Sequence, residues 1–299
     1  MRQRGFTLIE LIIVITMMGI ISLVTVGFIT SSMQGYADLT RRDQLSSAVR
    51  VAVERMAREV RNALPNSIRV NADGSCMEFI PALAASRYVA VPLAVASGGF
   101  SSVPFAVEPP QGRIAVYPID TNRIDETASG ADDSSRTSTQ NPIYDLDSWS
   151  IISPLITSGA LESGSGTVTV DFNGASTHRF PADSPAQRYF IVDEPVSFCL
   201  VGSDLYRFQG ENGSAYSFAQ NQSDGAALFA NLSEPQEALL ASDVVSPVGS
   251  QPFRYEDATL QRNGIVLFDL FIQDQDLSVA DTTQEGIRVQ FEVQVKNVP

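Results

Sequence analysis

The chain has 299 residues, 44% of them hydrophobic, which is apolar material for one large or two small domains with a sizeable core. Its net charge of -14 is unevenly spread: eight basic and five acidic residues lie up to Asn62, and twelve basic against twenty-nine acidic lie beyond it, giving +3 and -17. The acidity of the larger part argues against direct nucleic-acid binding, which needs Lys and Arg to displace phosphate counterions, and against a membrane-surface role for that part.

In chain order, Arg2 and Arg4 precede Gly5-Phe6-Thr7-Leu8-Ile9-Glu10. An apolar run follows from Leu11 to Ile29, with Thr16, Ser22 and Thr25 as hydroxyl interruptions. From Phe6 to Ile29 the segment spans about 36 Å as helix at about 1.5 Å per residue, enough to cross a bilayer. A carboxylate at the head of such a helix costs up to about 3 kcal/mol near the bilayer centre and asks for a cation. None occurs in the run, whose next charged residue is Asp38. The nearest candidate is a new amino terminus released by cutting between Gly5 and Phe6, largely protonated with a reference pKa of about 8. That amine can meet Glu10 four residues along one helix, or pair with it across two staggered parallel helices.

This segment resembles the signal and anchor of type IV prepilins and type II secretion pseudopilins. The resemblance implies that a prepilin peptidase cuts after Gly5 and methylates the Phe6 amine, and that Glu10 registers the subunit against a partner's amine. It also implies residues 1–5 as a cytoplasmic leader, 6–29 as the inner-membrane anchor and filament-core helix, and a head in the periplasm. Charge alone does not orient the span, because Arg41 and Arg42 offset Arg2 and Arg4. An ordinary secretory signal fits poorly: its apolar region is shorter and its small residue follows that region, whereas Gly5 precedes it.

Gln34 to Leu64 contains no proline, and Leu45, Val49, Val53, Met56, Val60 and Leu64 recur at steps of three and four. The pattern predicts an amphipathic spine over 30–64, ended by Pro65. Asp38 with Arg42, Glu54 with Arg58 and Arg55 with Glu59 are spaced for ion pairs on the wetter side, each worth a few tenths of a kcal/mol. Arg50, Arg55, Arg58 and Arg61 read as a solvated face. Anchor and spine together make one helix of about 90 Å. The proline usual in the family's anchor is missing, leaving Gly19 and Gly27 as its flexible points.

Beyond Pro65 the pattern turns to strands. Gly286 to Val295 alternates with period two, Asn263-Gly264 reads as a primed turn between Tyr255–Gln261 and Ile265–Gln273, and Gly202-Ser203-Asp204 joins Pro195–Val201 to Leu205–Gln209. Weaker strands are expected at Ser67–Val70, Met77–Ile80, Tyr88–Leu93, Arg113–Tyr117, Thr167–Phe172 and Tyr189–Val192. Asp120–Asp147 and Glu211–Ala226 are polar and read as exposed loops, with a short helix at Glu234–Leu240. The fold class is α+β: a long N-terminal helix packed on an antiparallel β-sheet head, 65–299, with inserted loops that supply a second lobe and no legible internal boundary.

Two cysteines, Cys76 and Cys199, both fall in the exported part, and one disulfide is the simple reading, two separately buried thiols the other. Groups for catalysis are scarce. His178, the sole histidine, has no Ser-His-Asp context and reads as a surface residue, and Ser163–Gly166 lacks the Lys of a phosphate loop. Asp269, Asp274, Asp276 and Asp281, like Asp132 and Asp133, miss the spacing of a helix-loop-helix calcium site and read as solvated. No catalytic residue, metal site or cofactor is expected.

Arg42-Asp43-Gln44-Leu45, Glu54-Arg55, Arg58-Glu59, Arg61 to Ser67, Cys76-Met77-Glu78-Phe79 and Val295 to Pro299 resemble minor pilins of the mannose-sensitive haemagglutinin pilus system. The stretch around Phe198-Cys199-Leu200 and Leu205-Tyr206-Arg207 is similar also to J-type pseudopilins. The resemblance implies a non-enzymatic subunit of a priming or tip complex, partnered by other minor pilins, the major pilin and an inner-membrane assembly platform. A secretion pseudopilin and a tip adhesin are the alternatives, and an anchored enzyme the weakest.

Overall fold

A computed structural model describes residues 7–71, 73–105, 111–119, 142–144, 150–156, 166–174, 176–209, 236–245, 250–256, 263–273 and 286–296. Helix α1, Leu8–Arg61, is 54 residues long. The chain divides into two compact units, Met1–Ala48 and Val49–Pro299. In the first, the most apolar 18-residue stretch of Leu8–Ala37 has a mean hydropathy of 2.6, and every residue of the segment is exposed. Its hydroxyls are satisfied within the helix: Thr16 donates to the Ile13 carbonyl at 2.9 Å, Thr25 to Ile21 at 2.8 Å and Thr30 to Val26 at 2.9 Å. Such back-bonding lets a hydroxyl sit in hydrocarbon without an unmade hydrogen bond. Gly19 and Gly27 lie inside the unbroken helix, a Cβ at either meeting nothing within 4 Å.

In the second unit Val49, Ala52, Val53, Met56, Ala57 and Val60 are buried along one side of the helix, while Arg50, Arg55, Arg58 and Arg61 are exposed. The side chain of Leu45 and the Asp38–Arg42 pair fall outside the described residues. Arg55 pairs with Glu59 at 3.1 Å, and no ion pair joins Glu54 to Arg58 among the described residues. The helix stops at Arg61, short of the expected Leu64. Strand pairing takes over the last backbone groups: Leu64 N donates to Ile80 O at 2.7 Å, Ala82 N to Asn62 O at 2.8 Å, and Ala63 bridges Pro81. Leu64 is still buried, in a cluster with Ile80 and Val192.

Among the described residues three antiparallel sheets follow. The first has five strands: β1 Arg69–Val70, β2 Cys76–Phe79, β9 Val196–Val201, β10 Asp204–Gln209 and β11 Gln236–Ala241, in the order β1-β2-β9-β10-β11. Val201 pairs with Asp204, so the β9–β10 turn has Gly202 and Ser203 at its centre, Gly202 at φ +65°. Only glycine takes up that left-handed conformation without a Cβ penalty. Gln236–Ala241 is a strand where a helix was expected; its ladder with β10 outweighs the local helix propensity of Glu, Ala and Leu.

The second sheet comprises β3 Ala82–Ala90, β4 Gly99–Ser102, β5 Arg113–Val116, β6 Ile152–Leu155, β7 Val168–Asp171 and β8 Arg188–Val192, in the order β6-β5-β8-β3-β4-β7. Its two edges meet, because Ile156 bridges Phe172 and Asn173 N donates to Leu155 O at 2.8 Å. The sheet therefore closes on itself around Tyr88, Phe100, Ile114, Phe172, Phe180 and Tyr189. The opposite faces of β5 and β8 carry Ala115 and Val192 into the cluster around Leu64. Both faces of β5 are thus buried, and Ile114–Val116 runs apolar without alternation, whereas Arg188 and Phe190 on the outer face of β8 are only partly buried. β3 begins six residues before the expected Tyr88, and β4 and β6 were not anticipated, because the alanines of β3, the glycine of β4 and the proline of β6 disfavour strand locally and pair only in tertiary context.

The third sheet has β12 Val244–Val245, β13 Phe253–Glu256, β14 Gly264–Gln273 and β15 Gly286–Val295, with β14 paired to all three others. The expected primed turn at Asn263-Gly264 is not formed. Glu256 is the partner of Ile265, and Gly264 already pairs with Val295. A Cβ at Gly264 would lie 2.8 Å from the Tyr255 hydroxyl, so the glycine serves a close approach and not a turn. Of the expected exposed loop Asp120–Asp147, Ile143 and Tyr144 are buried in a short 3₁₀ helix, Pro142–Tyr144, since an apolar pair in a polar stretch finds the core. The remainder of that loop and Glu211–Ala226 lie outside the described residues.

Candidate functional site

Thr7 starts the helix. Its carbonyl accepts from Glu10 N at 3.2 Å and Leu11 N at 3.3 Å, and its hydroxyl accepts from Glu10 N at 3.4 Å and donates to Glu10 Oε2 at 3.5 Å. Thr7-Leu8-Ile9-Glu10 has the spacing of a capping box, a signal present in the sequence and overlooked in it. Gly5 and Phe6 lie outside the described residues. Glu10 is exposed in the first turn, and no cation lies within 4.0 Å of it among the described residues. A carboxylate near a helix N-terminus gains about 0.3–1 kcal/mol from the macrodipole. That falls short of the roughly 3 kcal/mol cost of a charge deep in a bilayer, so the local cap does not remove the demand for a cation.

Elsewhere, Cys76 and Cys199 form a disulfide between directly opposed positions of β2 and β9, buried beside Phe208. The two-thiol alternative is excluded by this bridge. Arg69 pairs with the buried Glu78 at 2.6 Å and stacks on Tyr144, 3.8 Å from its ring centroid, while the Tyr144 hydroxyl donates to Ser67 O at 2.5 Å. Burial, then the charge of Glu78, pushes the Tyr144 phenol well above its ordinary pKa. These groups are structural: they stitch β1 and β2 to the 3₁₀ helix.

His178 is not on the surface. It is fully buried, its backbone pairs with Ser97, and its ring stands edge-on to Phe180 at 4.7 Å and Phe172 at 5.8 Å. Nε2 lies 2.9 Å from the Ser150 carbonyl and therefore carries the proton, leaving Nδ1 buried with no partner among the described residues. Burial lowers its pKa to about 4, opposed by the Ser150 carbonyl. Among the described residues no hydroxyl or thiol nucleophile is bonded to the ring. A one-sided pattern of neighbours, Phe172 and Phe180 flanking His178 in sequence, was the only hint of burial.

Asp269 is held by Arg288 at 2.7 and 2.5 Å, and that pairing keeps its carboxyl below its ordinary pKa. Asp274, Asp276, Asp281, Asp132 and Asp133 lie outside the described residues. Among the described residues no group of three or more His, Cys, Asp or Glu is placed to hold a metal ion.

Residues 1–26 match the prokaryotic N-terminal methylation motif. This motif, that of type IV prepilin-like proteins, implies processing by a prepilin peptidase and fits anchoring of the apolar helix in a membrane; the proteins that carry it are structural rather than enzymatic. No curated protein and no solved structure matches the chain.

Proposed function

We propose that the chain is a non-catalytic minor subunit of a type IV pilus-like fibre, of the mannose-sensitive haemagglutinin type. The observation that carries this reading is Glu10 at the head of a 30-residue apolar segment with no buried residue, inside the matched methylation motif. Residues 1–5 are the leader, 6–29 the anchor, 30–64 the spine and 65–299 a periplasmic head. Insertion presents Gly5 to the peptidase, cleavage frees the Phe6 amine, and the methylated amine of one subunit neutralises Glu10 of a neighbour. In hydrocarbon such a pair is screened little, so it sets axial register as well as affinity. The closed six-stranded lobe between β3 and β8 makes the head bulky, which favours a sparse priming or tip position over dense packing along a shaft.

Mass spectrometry of the chain from cells that contain the assembly machinery tests this. The expected product begins at N-methylated Phe6; fibre-competent protein that retains Met1 would overturn the proposal. The likeness around Cys199 to J-type pseudopilins favours a secretion pseudopilus as the second reading. Crosslinking from the spine distinguishes the two by the partner captured, pilus subunits or secretion components.

A further inference from the structure

Among its described residues the acidic head contains a basic hollow. Arg61, at the end of α1, Arg188, on β8, and Lys296, just past β15, line a concavity of about 240 Å³ together with Ala82, Ala85 and Phe190. Next to it, Arg87 of β3 is the direct cross-strand partner of Arg188, on the sheet face that also carries Ala85 and Phe190. Four other arginines of the head are paired with carboxylates: Arg69 with Glu78, Arg113 with Glu194, Arg207 with Glu59 and Arg288 with Asp269. Arg61, Arg87, Arg188 and Lys296 have no carboxylate within 4.0 Å among the described residues. Like charges directly opposed across a ladder are destabilising, so the fold tolerates a repulsion here that an anion would relieve. The helix C-terminus accounts for Arg61, whose charge complements the exposed carbonyls. It does not account for Arg188 or Lys296, which arrive from two different sheets.

We infer that this hollow docks an acidic segment of a protein partner, the cations taking its carboxylates and the alanine and phenylalanine lining its intervening apolar atoms. Three points favour a peptide. The volume falls below the roughly 300 Å³ at which small-molecule pockets begin. Arg61 and Lys296 are exposed at the rim, so a small anion would keep most of its water. Several cations spread over four elements match a multivalent chain better than a single anionic group. The inference rests on the head's own charges and is independent of leader cleavage.

The test is fluorescence anisotropy of labelled hexaglutamate on the full chain in neutral detergent, with hexaglutamine as the uncharged probe. Hexaglutamate is expected to bind and hexaglutamine not to, with binding fading between about 0.1 and 1 M salt as the screening length drops from about 10 Å to 3 Å. Lys296→Gln is expected to weaken binding about two- to fivefold, and Arg188→Gln with Lys296→Gln by about tenfold or more. Unchanged affinity in Lys296→Gln, whose exposed position leaves folding intact, would overturn the inference. So would equal binding of hexaglutamine, or displacement by inorganic phosphate at matched ionic strength, which would assign the hollow to a phosphate ligand. None of these outcomes bears on the amino-terminal mass, so failure here leaves the proposed function standing.

Discussion

Arg207 on β10 donates to Glu59 of α1 at 2.8 Å, and Arg55 reaches the other carboxylate oxygen of Glu59 at 3.1 Å. Glu59 thus ties the helix to the five-stranded sheet. Directly opposed residues share a face, so Arg207, Phe198 and Met77 line the side of that sheet turned to the helix. Both partners of the pair are mostly buried, at 17% and 23% side-chain exposure, which makes it worth more than a surface ion pair. Arg207→Ala and Glu59→Ala are each expected to destabilise the head by about 1–2 kcal/mol. A double-mutant cycle read by thermal melting in detergent should give a coupling of about 1 kcal/mol, and coupling indistinguishable from zero would reduce the contact to a coincidence of packing.

Glu10→Ala is expected to leave insertion and leader removal intact, because the proposed cleavage site follows Gly5 and the helix keeps its Thr7 cap. Capture of neighbouring subunits by crosslinkers on the anchor should fall by about tenfold or more, the equivalent of losing at least about 1.4 kcal/mol from one charge pair. Wild-type capture in the variant would mean that the carboxylate has no assembly role.

The buried His178 makes stability depend on pH. Its folded pKa is about 4 and its unfolded value about 6.5, so the unfolded chain takes up the proton first. Stability is whole above about pH 6.5 and declines as pH falls toward 4, by roughly 2 kcal/mol at pH 5. His178→Gln keeps a donor for the Ser150 carbonyl and removes the titration. Melting temperatures taken from pH 7 to pH 5 should therefore fall less in the variant; parallel declines would place the effect elsewhere.

Removing the disulfide with Cys76→Ala and Cys199→Ala releases a crosslink between residues 123 apart in sequence. The chain-entropy argument puts the loss at roughly 4 to 5 kcal/mol as an upper figure. The double variant should unfold at markedly lower denaturant, and thiol titration of the unreduced, denatured wild type should find no free thiol.

Local chemistry made the anchor legible. An apolar run of membrane-spanning length declares itself without tertiary context, as do a Gly202 turn between two strands and the period-two pattern of β15. The stripe Val49, Val53, Met56 and Val60 was equally plain, because one face of a helix records what it will be pressed against. Thr7 was readable too, through its spacing from Glu10.

Other features depended on partners distant in sequence. Asn263-Gly264 has the composition of a turn, yet β15 competes for Gly264 and Tyr255 needs the space above it. Glu234–Leu240 favours helix alone, and β10 draws part of it into a ladder. His178 is polar, and its burial follows from the closure of β6 on β7, which turns Phe172 and Phe180 around it. The sequence by itself determined which segment is long and apolar enough to cross a membrane and which helix face is dry, because hydrophobicity and periodicity are properties of neighbouring residues. Tertiary structure alone decided the closed sheet, the buried histidine and the basic hollow, because each comes from side chains brought together by strands whose order along the chain differs from their order in space.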